Sequence, residues 1–189
     1  DPETSQLLVD RQPKGEELLL RPNTLTLLRQ IQALQALQNA PSPAHRPLLR
    51  LTESAEHARW PSFEPAGIED GGWMVLTDET RPGTDEQRRF VEIGLATPDF
   101  VLLEGPPGSG KTTAICELVL QLAKQGKRAL LCASTHVAVD NVLERLMDER
   151  NPHRDWVIPV RIGERRNVSE KAGPWQRERS DKTERHRRL

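Results

Sequence analysis

The sequence has few of the residues that hold a chain together covalently or through a metal. It contains two cysteines, Cys116 and Cys132, both within apolar segments. Two cysteines exclude a disulfide scaffold and a cysteine-rich metal site, so we interpret both as buried, reduced thiols. The five histidines are dispersed without metal-ligand spacing, and we interpret them as solvated or locally hydrogen-bonded side chains.

Long apolar runs are also missing. No run approaches the roughly 18–20 residues needed to span a bilayer, so no membrane partner is predicted. Hydrophobic residues make up 35% of the chain and charged residues 29%, and there are 15 prolines. This composition is typical of a soluble protein with polar connecting segments. Because the first residue is Asp1 rather than Met, we expect the chain to be part of a longer protein.

The net charge of −1 is unevenly distributed along the chain. Residues 161–189 include ten Lys or Arg and five Asp or Glu, so the rest of the chain is acidic. A basic end suits a polyanionic partner, and it suits a solvated helix equally well. Charge alone leaves both interpretations open.

The first 83 residues carry weaker structural signals than the rest. Two apolar runs around a Pro/Gly turn predict a β-hairpin over residues 6–20. Leucines at helical spacing after Asn23 or Thr24, one of which would cap the helix, predict an amphipathic helix over residues 25–39. The next segment is proline-rich and irregular, and we interpret it as a connection. The predicted divisions of the chain are 1–40, 41–83 and 84–189.

From residue 84 onward, helical and strand patterns alternate. The apolar spacing predicts helices over 84–95, 111–125 and 137–147, and strands over 100–103, 128–133 and 157–162. This order implies a parallel sheet with right-handed crossovers. Pro159 places the last strand at an edge, because proline cannot donate to a central ladder. The predicted fold class is α/β, with a parallel sheet flanked by helices.

Residues 105–112 read Gly-Pro-Pro-Gly-Ser-Gly-Lys-Thr and match the phosphate-loop pattern in full. The motif lies between a predicted strand and a predicted helix. Glycines let backbone N–H groups approach a triphosphate, and the helix N-terminus adds the positive end of its dipole. Lys111 is expected to reach the β- and γ-phosphates, and the Thr112 hydroxyl to ligate Mg²⁺. The motif therefore predicts binding of a nucleoside triphosphate with Mg²⁺.

A second candidate site follows the predicted strand at 128–133. Ser134 and Thr135 come at the carboxyl end of that strand, where ligands bind in doubly wound sheets, and a predicted helix follows. Small hydroxyl groups and free N–H groups suit a nucleic-acid phosphate. The same residues suit helix capping, with Asp140 and Asn141 on a polar helix face. The residues alone leave both interpretations open.

Residues 105–112 and 133–142 together closely resemble motifs I and Ia of superfamily 1 helicases. The branch is that of the nonsense-mediated-decay RNA helicase and its DNA-helicase relatives. Residues 84–87 resemble the Q motif of that branch. The resemblance implies a RecA-like P-loop NTPase domain, preceded by the end of an accessory β-barrel and a stalk helix. It also implies an intracellular, ATP-dependent enzyme that moves along single-stranded DNA or RNA, cytoplasmic or nucleoid-associated, or nuclear in a eukaryote.

The resemblance implies roles for individual residues. Gln87 contacts adenine, although Thr84 as an N-cap would also place Gln87 in a capping box. Lys111 and Thr112 are catalytic, and Thr112 ligates Mg²⁺. ATP is bound by Gln87 and by Gly105, Pro106, Pro107, Gly108, Ser109, Gly110, Lys111, Thr112 and Thr113. The path of the single-stranded nucleic acid is lined by Ser134, Thr135, His136 and Asn141, mainly through backbone contacts.

Hydrolysis also needs a carboxylate at the end of a neighbouring strand, to hold Mg²⁺ and orient water. Asp78 and Glu79 lie upstream of the phosphate loop, out of the family's order, and Glu164 follows a segment that Pro159 interrupts. We therefore expect the family's motif II to lie beyond Leu189 and the 189-residue chain to turn over little ATP.

Two other functions remain open at the level of sequence. An AAA+ ring ATPase shares the phosphate-loop pattern, but it would carry a later apolar strand ending in Asp-Glu, which we do not find. A non-catalytic module that binds a nucleotide or a nucleic acid would need no such strand. Residues 133–142 favour the helicase.

Overall fold

The computed structural model describes residues 24–45, 49–51 and 59–177. The chain divides into two compact units, one ending at Arg59 and the other beginning at Trp60. The β-hairpin predicted over 6–20 lies outside the described residues. The domain boundaries predicted after residues 40 and 83 remain predictions.

The first unit contains helix α1 (Leu25–Asn39), which confirms the helix predicted there. Thr24 is its N-cap residue, but the Thr24 side chain makes no capping hydrogen bond. A 3-10 turn follows at Pro43–His45. The apolar stripe of α1 is exposed, including Leu34 at 65%.

The second unit contains three helices and two short strands in its described part. The helices are α2 (Thr84–Ala96), α3 (Lys111–Lys124) and α4 (His136–Leu146). The strands are β1 (Arg161–Ile162) and β2 (Gln176–Arg177), with 3-10 turns at Arg154–Trp156, Arg165–Asn167 and Gly173–Trp175. All three helix predictions in this unit are confirmed to within one residue at each end. No helix in the described ranges has both the length and the hydropathy for a membrane crossing.

Helix α3 is the centre of the second unit. On one side, Leu118 packs against the buried cluster of Trp73, Leu76 and Val91, of which Val91 belongs to α2. On the other side, two buried residues of α3 pack with two of α4 in a cluster of Cys116, Leu120, Val142 and Leu146. Full burial of an aliphatic side chain such as Leu120 contributes roughly 1.5–3 kcal/mol. These apolar contacts fix the first turn of α3 relative to both neighbouring helices.

The C-terminal end of α3 has the geometry that its sequence predicts. Gly126 has a φ of 66°, in the left-handed region that favours glycine. The Gly126 N–H donates to the Ala123 carbonyl at 2.8 Å, and the Lys127 N–H donates to the Leu122 carbonyl at 2.9 Å. These two bonds form a Schellman motif, which stops the helix and turns the chain.

Within the described residues, the sheet consists of the parallel pair of β1 and β2, in which Arg161 lies opposite Gln176. Only the last two residues of the strand predicted over 157–162 are therefore in a strand. The strand predictions over 100–103 and 128–133 are wrong for the described structure. An apolar run becomes a strand only when a neighbouring strand about 4.8 Å away completes its hydrogen bonds. No described segment pairs with either run, so the α/β class is confirmed without a full RecA-like sheet.

The unpaired runs leave apolar side chains in solvent. Leu102 is 83% exposed, Leu130 87% and Ile158 92%. An open cavity of about 680 Å³ lies between α4 and the two later runs. Cys132 is also exposed, so the prediction of buried thiols is right for Cys116 and wrong for Cys132.

Candidate functional site

The phosphate-loop segment 105–112 leads directly into α3. Gly108 and Gly110 have φ values of 84° and 82°, a conformation that favours glycine. Gly110 is the N-cap of α3, so residues 111–113 form its first turn. The N–H groups of a first turn have no acceptor within their helix and mark the positive end of its dipole. The predicted loop and helix start are therefore both present.

The Lys111 ammonium lies against the loop itself. Its Nζ donates to the Gly105 carbonyl at 2.6 Å, to the Pro106 carbonyl at 2.8 Å and to the Ser109 hydroxyl at 3.4 Å. All three acceptors are neutral. Because a phosphate oxygen is charged, it makes a stronger hydrogen bond to an ammonium group than a carbonyl does. A phosphate can therefore replace the loop oxygens as the partner of Lys111.

The start of α2 differs from the predicted capping box. Gly83, with a φ of 86°, is the N-cap, and the Gln87 N–H donates to the Gly83 carbonyl at 3.1 Å. The Thr84 hydroxyl instead donates to the Asp78 carbonyl at 2.9 Å. The prediction of Thr84 as N-cap is wrong, because the preceding turn supplies an acceptor for its hydroxyl.

The Gln87 side chain lies over the phosphate loop. It is 4% exposed, and its Nε2 donates to the Ser109 carbonyl at 2.8 Å. Its Oε1 is buried and has no hydrogen-bond partner among the described residues. A Cβ at Gly110 would overlap the Gln87 amide, and a Cβ at Gly105 would lie 2.6 Å from the Ser109 hydroxyl. A cradle that only glycine can line, beside a buried free acceptor, fits a nucleotide.

The carboxylates considered for Mg²⁺ have other partners. Asp78 accepts hydrogen bonds from the Thr80 N–H at 3.0 Å and hydroxyl at 2.7 Å, which lower the pKa of Asp78. Glu79 forms an ion pair with Arg88 at 2.7 Å, and Glu164 pairs with a neighbouring arginine. Within the described residues, no group of three or more His, Cys, Asp or Glu side chains could hold a metal. The Thr112 hydroxyl remains the candidate ligand.

Glu117 of α3 holds the backbone of the segment before α2. It is fully buried, and its carboxylate accepts hydrogen bonds from the N–H groups of residues 74–76 at 2.6–3.2 Å. Gln121 Nε2 donates to the same carboxylate at 2.8 Å and to the Gly72 carbonyl at 2.9 Å. One turn of α3 therefore supplies the partners that a neighbouring strand would otherwise provide.

Arg88 of α2 holds the same segment from the other side. Its Nε and NH2 both donate to the Leu76 carbonyl, at 3.0 and 2.8 Å, and its guanidinium lies 4.9 Å from the centroid of the Trp73 ring. We call residues 72–76 with Glu117, Gln121 and Arg88 the clamp. Sequence reasoning missed the clamp, although an acidic residue within the apolar run of α3 was a signal that could have found it.

The second candidate site lies at the start of α4. Thr135 is the N-cap, and its hydroxyl accepts a hydrogen bond from the Ala138 N–H at 3.3 Å, so the capping interpretation is confirmed. Ser134, Thr135 and His136 are adjacent and exposed. Asn141 is exposed too, but it lies about 7.5 Å farther along the helix on a different face. The structure therefore brings together three of the four residues predicted to line the path of the single-stranded nucleic acid.

The two candidate sites are in contact through their helices. Arg145 of α4 donates from NH1 to the Thr113 hydroxyl of α3 at 3.4 Å. The side chain of Leu146, on the next position of α4, is buried in the cluster that also contains Cys116 of α3. A shift of the phosphate-loop helix would therefore act directly on the helix that begins at His136.

A family model described as an AAA domain matches residues 83–188, which is more than half of the chain. The chain belongs to this AAA-domain family. The match begins at the N-cap of α2 and covers the phosphate loop and α4. Gln87, Lys111 and His136 all lie within the family segment.

Three curated relatives match part of the chain. Mouse DNA-binding protein SMUBP-2 is 47% identical over 60 residues, covering 32% of this chain and 6% of the relative. Human DNA replication ATP-dependent helicase/nuclease DNA2 is 47% identical over 85 residues, covering 45% of this chain and 8% of the relative. DNA polymerase alpha-associated DNA helicase A of Schizosaccharomyces pombe is 38% identical over 76 residues, covering 40% and 12%.

The matched part spans at most 12% of the length of these three relatives. Together with the family model, the relatives make this part of the chain a superfamily 1 helicase-like motor-domain region. The resemblance drawn from residues 84–87, 105–112 and 133–142 is thereby confirmed.

Proposed function

We propose that this chain is the ATP-binding portion of an ATP-dependent helicase or translocase motor that acts on single-stranded nucleic acid. The observation that carries the proposal is the glycine-lined phosphate loop with Lys111 at the start of α3. The names of all three relatives refer to DNA, which favours DNA over RNA as the track.

The chain's residues toward ATP and Mg²⁺ have distinct tasks in this proposal. Lys111 exchanges its carbonyl partners for phosphate oxygens, and the N–H groups of Gly108 and of residues 110–113 bind the remaining phosphate oxygens. The Thr112 hydroxyl is the protein ligand for Mg²⁺. When bound, ATP supplies the phosphoryl group whose transfer to water drives the motor.

Gln87 is the base-reading residue of the proposed site. Its buried Oε1 lacks a partner among the described residues, and an adenine amino group is a neutral N–H donor that would satisfy it. Its Nε2 already contacts the loop through the Ser109 carbonyl. Binding of the base would therefore be communicated to the phosphate loop by one side chain.

The proposed track for the single strand passes the start of α4. Ser134, Thr135 and His136 are exposed next to the N–H groups of the first helical turn, of which Thr135 caps that of Ala138, and a helix start of this kind suits a backbone phosphate. Asn141 adds a polar group farther along the helix. Contacts of this kind position a strand without reading its bases.

The nucleotide half of the proposal is tested by titrating the 189-residue chain with a fluorescent ATP analogue and Mg²⁺. Lys111→Ala removes charge-assisted hydrogen bonds to phosphate, so we expect affinity to fall by about 100-fold or more. Lys124→Ala, at the exposed end of the same helix, is the matched control and should bind like the wild type. Equal affinities for all three proteins would reject the proposed ATP site.

A further inference from the structure

One face of α4 carries a polar row that faces residues 161–172. His136, Asp140 and Glu144 follow at intervals of four residues, so they lie above one another on the same face of the helix. Each of the three has a hydrogen-bond partner within residues 161–172, a segment that starts with β1. The row therefore joins the candidate strand-binding end of α4 to β1.

The centre of the row is a buried ion pair between Asp140 and Arg161. Both residues are nearly inaccessible, at 3% and 5% exposure, and Arg161 Nε donates to Asp140 Oδ1 at 2.5 Å. Asp140 Oδ2 accepts from the Ser169 N–H at 2.9 Å, and Arg161 NH1 donates to the Ile162 carbonyl at 2.6 Å. A guanidinium held at two of its nitrogens has a fixed plane, so the direction of its third nitrogen is fixed as well.

The far end of the row is tied down independently. The Ser169 hydroxyl donates to Glu144 Oε1 at 2.6 Å and accepts from the Ala172 N–H at 3.1 Å. Helix α4 is therefore attached to the same segment at two points, four residues apart. This attachment sets the position of the third member of the row, His136, relative to Arg161.

The remaining nitrogen of Arg161 faces the imidazole ring. Arg161 NH2 lies 3.3 Å from His136 Nδ1. A guanidinium only donates, so Nδ1 must present its lone pair, and the proton of the neutral ring is then on Nε2. A proton on Nδ1 would set two donors against each other. The contact therefore selects one tautomer, with Nε2–H free to donate elsewhere.

We propose that Arg161 is a positioning residue that holds His136 as the neutral Nε2–H tautomer and so makes it a hydrogen-bond donor to a backbone phosphate of single-stranded nucleic acid. The inference rests on the proposed function of this site. Arg161 is 5% exposed and acts through His136, which is exposed at the first position of α4. The phosphate contact is thus a hydrogen bond from an uncharged donor to a charged acceptor rather than an ion pair.

The tautomer is tested first, by nitrogen NMR of the imidazole rings in the labelled 189-residue chain without nucleic acid. The His136 signals should show Nε2 protonated and Nδ1 bare. Arg161→Lys keeps the charge but lacks the planar fork, so the His136 signals should shift toward a mixture of tautomers. Arg165→Lys, exposed on the same segment, is the matched control and should leave the signals unchanged.

Binding is tested next, by fluorescence anisotropy with a single-stranded DNA oligonucleotide at several salt concentrations. His136→Ala should weaken binding by roughly 10- to 100-fold, as expected for one hydrogen bond to a charged acceptor. His136→Gln, which keeps a neutral N–H donor, should retain most of the affinity. Loss of an ionic phosphate contact would reduce the salt slope by about 0.7, whereas we expect His136→Ala to leave the slope unchanged.

The double variant separates positioning from an independent effect. Arg161→Lys alone should weaken binding, but by less than His136→Ala, because a mixture of tautomers still includes the Nε2–H donor. The double variant should be no weaker than His136→Ala alone. Additive losses, or a wild-type ring protonated on Nδ1, would overturn the inference. Absence of DNA binding by the wild type would reject the proposed function, and the phosphate role of His136 with it. A correct tautomer would then show that the strand proposal, rather than the Arg161 contact, had failed.

Discussion

The clamp and the apolar runs after α3 begin from similar sequences and reach different structures. Residues 73–76 read Trp-Met-Val-Leu, and residues 128–133 read Arg-Ala-Leu-Leu-Cys-Ala. In the clamp, Trp73 is 7% exposed and Leu76 3%, and Glu117 accepts the N–H groups of three successive residues. We call residues 128–133 and 157–162 the open segments, where Leu130 is 87% exposed and Ile158 92%.

This difference separates two requirements of an apolar run. Its side chains need cover, and its backbone groups need hydrogen-bond partners. The clamp receives both from α2 and α3, whose side chains act in place of a neighbouring strand. Helices α3 and α4 pack along one side of the open segments. Within these segments, the two residues of β1 are the ones that pair with a described strand.

The largest effect we expect is from Glu117→Ala. The substitution leaves the N–H groups of residues 74–76 without their acceptor, and the Leu76 N–H is in a buried contact, so we expect the free energy of unfolding to fall by about 4 kcal/mol. All four tryptophans belong to the second unit, and their fluorescence in a urea titration follows its unfolding. The Trp73 side chain should also be more exposed to solvent in this variant than in the wild type.

Two further variants make the Glu117 experiment decisive. Glu149→Ala, which removes an exposed carboxylate of the same charge, should leave the urea midpoint within error of the wild type. Glu117→Gln keeps one acceptor oxygen and should give an intermediate midpoint, which is measurable even if the alanine variant does not fold. A midpoint for Glu117→Gln equal to that of Glu149→Ala would mean that the clamp does not stabilise the unit.

The next effect is from Leu120→Ala in the buried cluster between α3 and α4. Leu120 is fully buried, and replacing a buried leucine by alanine lowers the free energy of unfolding by about 2–5 kcal/mol, depending on how far the site collapses. Urea unfolding monitored by tryptophan fluorescence gives the value. A loss below about 1 kcal/mol would show that the packing of α3 on α4 is loose in solution.

The two cysteines compare the same regions by chemistry. Burial raises the pKa of the Cys116 thiol to about 11 from its ordinary value of 9.0, so at pH 8 the reactive thiolate is about 100-fold scarcer than in an unperturbed thiol. Cys132 is exposed in an open segment. Mass spectrometry after brief treatment with iodoacetamide should find label on Cys132 and almost none on Cys116. Equal labelling in the native protein would contradict the buried cluster, whereas equal labelling in urea is the expected control.

Helices and the phosphate loop could be predicted because their signals are local. The apolar spacing of α2, α3 and α4, the glycines of residues 105–112 and the stop at Gly126 depend on neighbours within a few residues. The N-cap of α2 was misplaced by one residue, because the Thr84 hydroxyl bonds to a carbonyl six positions upstream. That acceptor cannot be identified from a capping pattern.

The clamp and the buried ion pair depend on distant partners. Glu117 meets the backbone of residues 74–76 across more than 40 positions, and Asp140 meets Arg161 across 21. No periodicity encodes such pairings. The strand predictions over 100–103 and 128–133 are wrong for the same reason. An apolar run indicates that its side chains need cover, but it does not specify which other segment pairs with its backbone.

The smallest effect we expect is from Leu130→Ala, the same substitution as at Leu120 but in an open segment. Leu130 is 87% exposed, so its methyl groups already face water and the free energy of unfolding should change by less than about 0.5 kcal/mol. The measurement is the urea titration used for Leu120→Ala, with that variant as the comparison. A loss above about 1 kcal/mol would mean that residues 128–133 are covered by a strand or another surface in solution, and the contrast between the clamp and the open segments would disappear.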